Sequence, residues 1–148
     1  MVKLQIDVEE LKPLEPRFRK VAKRTVELTS NELQRNLKKL SPVDHGRLQG
    51  SWVIFQTGEL ERTVKSSAKY AIFVNDGTGL YGPLGHKIRP KNGKFLAFTP
   101  NKGKFKGKLI VVPWTRGQKP QRFVERSMEM TERRVQEFMI RAMMEMDS

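Results

Sequence analysis

Few side chains in this chain of 148 residues have the type and spacing that catalysis or metal binding requires. There is no cysteine, which excludes thiol nucleophiles, disulfides and cysteine metal sites, and the two histidines are His45 and His86. Asp44 precedes His45, and a carboxylate can orient an imidazole for acid–base work. Because adjacent side chains rarely point to one place, we interpret Asp44 as a turn residue that accepts backbone hydrogen bonds. His86 stands among glycines and cations and is expected in an exposed loop.

Two further patterns have chemical interpretations that their surroundings do not support. The Gly-x-Gly-x-x-Gly pattern of dinucleotide sites occurs at Gly77, Gly79 and Gly82, but no helical pattern follows it and no βαβ unit surrounds it. Glu59 and Glu61 would share one face of a strand without a histidine or metal partner, so solvation explains them. We therefore predict a protein without catalytic activity, cofactor or metal site, and a small hydrolase is a remote alternative.

The most informative feature is a long basic segment without acidic residues. The formal net charge is +13, and eleven of the 29 Lys and Arg residues lie between Gly77 and Val124, where no Asp or Glu occurs. A field of this sign favours contact with nucleic acid, anionic lipid or an acidic protein surface. The candidate partner-binding residues of the segment are Lys87, Arg89, Lys91, Lys102, Lys104, Lys106, Arg116 and Lys119.

Three interpretations of the basic segment remain open at this point. A nucleic-acid surface would place lysines on phosphates and stack bases on aromatic rings, although Phe95 belongs to an apolar strand and is expected to be buried. An assembly surface would use the same charges to orient an acidic protein partner. The simplest alternative is a flexible, solvated loop.

The remaining totals predict one soluble domain over residues 1–148. Hydrophobic residues make up 37% of the chain and charged residues 30%, which is enough for an ordered core. No apolar run approaches the roughly 18 residues of a membrane span. The first residues lack the apolar core of a signal peptide, so we expect a protein made in the cytoplasm with no membrane partner.

The elements that must carry these residues are two long helices and two hairpins. Apolar residues recur at three- and four-residue steps over 14–40 and 121–146, which predicts one helix at each end. Hairpins are predicted over 51–66 and 94–112, and a basic loop is predicted over 77–93. Because short turns favour antiparallel pairing, the predicted class is α+β, an antiparallel sheet packed with an N-terminal and a C-terminal helix.

Two apolar stretches carry additional expectations. Residues 70–74 fit either a strand or one helical turn, and periodicity does not decide between them. In the last helix, Met128 and Met139 match the apolar stripe and are expected in the core. Met130 and Met144 lie off that stripe and suggest a second apolar contact, such as a neighbouring subunit.

Three short motifs follow one another in a recognisable order. Residues 41–51 read Ser-Pro-Val-Asp-His-Gly-Arg-Leu-Gln-Gly-Ser after the long helix, 70–78 read Tyr-Ala-Ile-Phe-Val-Asn-Asp-Gly-Thr, and 117–123 read Gly-Gln-Lys-Pro-Gln-Arg-Phe. Together they resemble the small tail-completion or head-to-tail joining proteins of long-tailed phages. The family-motif scaffold positions are Pro42, Asp44, Gly46, Leu48, Tyr70, Gly77, Thr78, Pro120 and Phe123.

The match to the family pattern is incomplete at three positions. His45 stands where threonine is usual, Asn75 lies near a frequent glutamate, and Arg122 replaces a proline. The matched residues make physical sense as scaffold, because Pro42 can stop the first helix and Gly77 can end the apolar patch. Pro120 is expected to open the last helix at its first turn.

The resemblance implies a structural virion protein at the junction of head and tail. It would form a homo-oligomeric, hexameric ring that contacts a head-side connector and tail tube or terminator proteins, with genome DNA passing through the centre. A tail terminator or another minor tail protein is the alternative within this class. A basic nucleic-acid-binding module is the alternative of a different class.

The ring suggests where the basic segment should point. If these cations lined the channel, they would bind the phosphates of the DNA and release counterions. Such binding would retain DNA that must leave rapidly. We therefore expect the Lys/Gly hairpin tip, Asn101–Gly107, to face an acidic partner ring or a neighbouring subunit and to become ordered only on assembly.

Overall fold

The computed structural model describes residues 2–5, 16–43 and 46–148. The helices and strands of these residues are β1 (Val2–Gln5), α1 (Pro16–Leu40), α2 (Arg47–Gly50), β2 (Trp52–Gly58), β3 (Glu61–Ser66), α3 (Ala71–Asp76), β4 (Leu96–Phe98), β5 (Ile110–Val112), α4 (Phe123–Glu132) and α5 (Val135–Asp147). A 3₁₀ turn, Gly79–Tyr81, follows α3. The predicted α+β class with antiparallel strands is confirmed.

The chain divides into two compact units. Met1–Ala71 and Phe123–Ser148 form the core unit, and Ile72–Arg122 form the basic unit. Every buried apolar side chain of the described residues belongs to the core unit; these are Val21, Val26, Leu33, Leu37, Leu48, Trp52, Leu60, Val64, Ala71, Phe123, Phe138 and Ala142. The expectation of a single domain over residues 1–148 stays a prediction.

Helix α1 contributes the largest buried face of the core unit. Leu33 and Leu37 are almost completely buried, whereas Phe18, at the start of the predicted stripe, is 49% exposed. The hydroxyl of Thr25 donates to the carbonyl oxygen of Val21 over 2.8 Å, so this buried polar group has a partner. The helix ends at Leu40, as the Ser-Pro sequence predicts.

A three-stranded antiparallel sheet of order β1-β3-β2 belongs to the same unit. The pairing of β2 with β3 matches the predicted hairpin, and its register places Ile54 opposite Val64. A register shift between Gln56 and Gly58 precedes the turn. Strand β1 was not predicted, because four residues are too few for a period to be recognised.

The C-terminal segment forms two helices, where one was predicted over 121–146. Arg134 separates them: its guanidinium donates to Glu32 of α1 over 2.6 Å, and its amide donates to the Thr131 carbonyl over 3.0 Å. We attribute the break to this ion pair with α1, because the apolar period itself continues across it. No helix of the described residues combines the length and apolarity required to span a membrane.

The buried face of these helices also differs from the predicted stripe. Met128 and Met139, expected in the core, are 37% and 43% exposed. The buried residues are Phe123, Ser127, Thr131, Phe138 and Ala142. Three of these five side chains are small, so packing selects a face that hydrophobicity alone does not identify.

The basic unit contains little regular structure. Residues 71–76 form helix α3, which decides the open assignment of residues 70–74 in favour of a helix. Strands β4 and β5 pair Leu96 with Val112 and Phe98 with Ile110, so the predicted hairpin exists with shorter strands. Its tip is a series of turns, closed where the Gly107 amide donates to the Pro100 carbonyl over 2.9 Å.

Candidate functional site

Backbone hydrogen bonds join the second and third sequence motifs inside the basic unit. The Thr78 amide donates to the Gln118 carbonyl over 2.9 Å, and the Gln118 amide donates to the Thr78 hydroxyl over 2.9 Å. The Leu80 amide donates to the Arg116 carbonyl over 2.8 Å, and the Gln121 amide donates to Val74 over 3.1 Å. Two segments about forty residues apart in sequence therefore form the frame of this unit.

Glycines make this close approach possible. Gly79 and Gly117 have φ values of +63° and +87°, and a Cβ at either position would overlap a backbone carbonyl oxygen of the opposite segment. A Cβ on Gly77, with φ +82°, would lie 2.8 Å from the Tyr81 carbonyl oxygen. Backbone packing thus explains the Gly-x-Gly-x-x-Gly pattern without a nucleotide.

Trp52 of the core unit contacts both the first motif and the last residue of the third. Leu48 is buried, and Gly46, with φ +70°, directly precedes α2. The indole N–H of Trp52 donates to the Ser41 hydroxyl over 2.9 Å. The Trp52 ring meets the fully buried Phe123 ring edge to face, with centroids 6.1 Å apart.

The other scaffold positions differ in their surroundings. Pro42 is half-buried after α1, Tyr70 is 40% exposed, and Asp44 lies outside the described residues. The expectation that Pro120 opens the last helix is wrong, because that helix begins at Phe123. Instead, Arg122 makes the entry turn in the left-handed conformation, with φ +51°.

All eight predicted partner-binding cations are exposed: Lys87, Arg89, Lys91, Lys102, Lys104, Lys106, Arg116 and Lys119. Three contact aromatic rings. The Lys87 ammonium lies 3.8 Å from the Trp114 centroid, the Lys119 ammonium 5.8 Å from that of Tyr81, and the Lys104 ammonium 6.0 Å from that of Phe105. The single acidic residue of the basic unit, Asp76, lies 3.8 Å from Arg122. Eleven cations against one carboxylate give this unit a formal charge of +10.

Large apolar side chains are exposed beside these cations. Phe95, expected to be buried, is 60% exposed. Asn75 and Gly77 are the only buried residues of the basic unit. Its exposed apolar side chains are Ile72, Phe73, Leu80, Tyr81, Leu84, Phe95, Phe98, Phe105, Leu109 and Val111.

The described residues that were considered for catalysis are exposed or paired with other side chains. His86 is exposed, and Glu59 lies 3.8 Å from Arg19. Glu61 accepts a hydrogen bond from the Thr57 hydroxyl over 2.8 Å, and Asp44-His45 lies outside the described residues. Among the residues that the structure describes, no group of His, Asp and Glu side chains could hold a metal ion.

Ion pairs connect α5 to α1 within the core unit. The Arg24 guanidinium donates to Glu145 over 2.7 Å, and this bond lowers the pKa of Glu145 and raises that of Arg24. On α5 itself, the hydrogen bond from Arg134 lowers the pKa of Glu137. Arg17 also pairs with Asp147 near the end of the helix. The lowered pKa values keep Glu137 and Glu145 ionised at neutral pH.

Comparison with known proteins relates part of the chain to a protein family. Residues 7–77 match a family model described as "Bacteriophage HK97-gp10, putative tail-component". This segment contains the first motif and the second as far as Gly77, whereas the third motif lies beyond it. No curated protein and no solved structure matches the chain at a significant level of similarity.

A component of a phage tail is part of the virion and contacts other structural proteins of the phage. The match covers residues independent of the third motif, yet it leads to the same class of protein as the three motifs together. The predicted resemblance to phage tail proteins is thereby confirmed: over residues 7–77 the chain is similar to the HK97-gp10-like family of bacteriophage tail components.

Proposed function

We propose that this tail component completes the phage tail and joins it to the filled head, as one subunit of a hexameric neck ring without catalytic activity. Its partners are other copies of itself, a head-side connector and tail tube or terminator proteins. Genome DNA passes through the centre of the ring. The family match supports the general class, and the junction role rests on the three motifs and on the basic unit.

The observation that carries the proposal is the surface of the basic unit. Ten large apolar side chains are exposed beside eleven cations, in a unit without a buried apolar side chain. Exposed apolar clusters of this kind are typical of surfaces that another protein covers. Charges around such a cluster speed encounter and fix orientation, which suits a subunit added at a defined step of assembly.

Charge reversal of the hairpin tip tests this function. The variant Lys102→Glu/Lys104→Glu/Lys106→Glu is expected to fold normally, because all three side chains are exposed in turns. A phage with this variant should accumulate separate heads and tails, seen by electron microscopy, and should lose infectivity. A matched control reverses three exposed lysines of the core unit, Lys20, Lys23 and Lys69. Normal infectious particles from the tip variant would contradict the proposal.

A nucleic-acid-binding module is the second candidate, favoured by the contacts of Lys87 with Trp114 and Lys119 with Tyr81. Aromatic rings beside cations can stack bases while phosphates are neutralised; Tyr81 is exposed and Trp114 is half-buried. The isolated protein would then bind duplex DNA with an affinity that falls steeply as salt rises. A protein that only binds DNA would not be required for the joining of heads to tails, so loss of joining in the tip variant favours the first proposal.

A further inference from the structure

The outer face of α5 carries a shallow apolar groove that is widely open to solvent. Ile140 and Met144 are 51% and 68% exposed. They line a groove of about 430 Å³ together with Glu137, Arg141, Glu145 and Ser148. The opposite side of the helix, with Phe138 and Ala142, is buried. Met139 and Met143, also exposed, extend the apolar surface beside the groove.

The hairpin of the basic unit presents an apolar face of its own. The antiparallel register pairs Ala97 with Val111, so Phe95, Ala97, Leu109 and Val111 share one side of the hairpin. All four are exposed, whereas Leu96, Ile110 and Val112 on the other side are half-buried. A two-stranded sheet is only marginally stable alone, so a cover for this open face would stabilise it.

Charge makes the two faces complementary between copies. Residues 123–148 contain six acidic and four basic residues, whereas the basic unit has eleven basic residues and one acidic residue. Contact between two basic units would oppose like charges. Contact between a basic unit and the α5 face of another copy instead sets lysines against a segment with a formal charge of −2, in which Glu137 and Glu145 also pair with arginines of their own copy.

We propose that the outer face of the β4–β5 hairpin of one copy docks into the α5 groove of a second copy. Methionine side chains adapt to a partner and make favourable contacts with aromatic rings, which suits insertion of Phe95 beside Met144. The contact joins two different surfaces, so its repetition closes a ring or continues as a filament. This inference rests on the proposed ring and identifies the surfaces that join its subunits.

The absence of cysteine from the chain allows a direct test. Tagged protein with Val111→Cys is mixed with untagged protein with Met144→Cys under mild oxidation. The mixture is tested in solution, at concentrations up to the solubility limit, and on purified tails. We expect a covalent dimer that contains one tagged and one untagged chain and that separates on reduction. The matched control replaces Met144→Cys by Met128→Cys, an exposed α4 methionine outside the groove, and should give little of this dimer.

Three results would overturn the inference: no mixed dimer under any condition, an equal yield with Met128→Cys, or Val111→Cys chains that link mainly to each other. Misfolding is checked by circular dichroism of each variant, and Met144→Asp provides a second variant at an exposed position. Met144→Asp should abolish formation of the ring on tails, and Met128→Asp should not. Retention of the ring by Met144→Asp would also overturn the inference.

The outcomes separate this inference from the proposed function. If the hairpin-tip variant blocks the joining of heads to tails but no mixed dimer forms, the function stands and the docking surface is wrong. If the mixed dimer forms but particles with the tip variant are infectious, the subunit contact stands and the joining role is wrong.

Discussion

Gly117 holds the two motif segments of the basic unit at backbone contact. Its φ is +87°, and a Cβ there would overlap the carbonyl oxygen of Thr78. We expect Gly117→Ala to destabilise the basic unit by more than about 2 kcal/mol, since a left-handed alanine alone costs roughly 1–2 kcal/mol and the overlap adds to it. Hydrogen exchange at the Thr78 and Leu80 amides measures the effect.

The control for this substitution is Gly103→Ala in the hairpin tip. Gly103 has φ +83°, close to that of Gly117, but a Cβ added there would meet no atom within 4 Å. Gly103→Ala should therefore lower the free energy of unfolding only by the cost of a left-handed alanine, roughly 1–2 kcal/mol. Equal effects of the two substitutions would mean that the backbone contact at Gly117 does not stabilise the unit.

Glu145 makes the stability of the core unit depend on pH. Its hydrogen bond with Arg24 lowers its pKa in the folded state, so the pair stabilises the fold above the ordinary glutamate pKa. That stabilisation is lost as the pH falls through the lowered pKa. Glu145→Gln should therefore have a lower Tm than the wild type at pH 7, with the difference shrinking below about pH 4.

The measurement is thermal unfolding of both proteins between neutral and acidic pH. Glu129→Gln is a suitable control, because Glu129 pairs with the exposed Arg133 of its own helix. Surface pairs of this kind contribute little, about 0–1 kcal/mol. A Tm difference for Glu145→Gln that stays constant with pH would argue against the Arg24 pair as its cause.

Among the elements, α1 supplies a core that the basic unit does not have. Leu37 of α1 has 0% exposure, whereas Leu109, beside β5, has 70%. Leu37→Ala should lower the free energy of unfolding by about 2–5 kcal/mol, since it removes contacts and leaves a cavity. Leu109→Ala should change it by less than about 0.5 kcal/mol in the isolated protein. Urea denaturation measures both, and comparable losses would mean that the hairpin is packed in solution.

The two C-terminal helices bury small side chains on one side and expose larger apolar side chains on the other. Ser127, Thr131 and Ala142 face the core, whereas Met143 and Met144 remain exposed. The larger side chains would have been expected inside on hydrophobicity alone. An exposed methionine face beside a small-residue packing face is consistent with a helix that contacts α1 on one side and another subunit on the other.

For the whole molecule, stability should differ between the two units. The core unit contains all the buried apolar side chains of the described residues, and the basic unit has only Asn75 and Gly77 buried. Segments with few buried apolar contacts open at a lower free energy. Amides of residues 72–122 should therefore exchange faster than those of α1 in the isolated protein, measured by mass spectrometry. Assembly on tails should slow them, and equal protection in the isolated protein would contradict this.

The sequence by itself determined the features that depend on neighbouring residues. The position and end of α1, the two hairpins, the concentration of cations in one segment and the turn at Gly77 all follow from local periodicity, proline and glycine chemistry, or composition. The three motifs were also readable as an ordered pattern, and the resemblance based on them was confirmed over residues 7–77.

Only the tertiary structure decided the features that depend on distant partners. The bond between Thr78 and Gln118 joins residues forty positions apart. The break between α4 and α5, where Arg134 pairs with Glu32, interrupts a local pattern that is continuous. Whether Phe95 is buried depends on a covering element that the basic unit does not contain. Hydrophobic periodicity shows which face of an element is apolar. Whether that face is buried depends on which other segments pack against it.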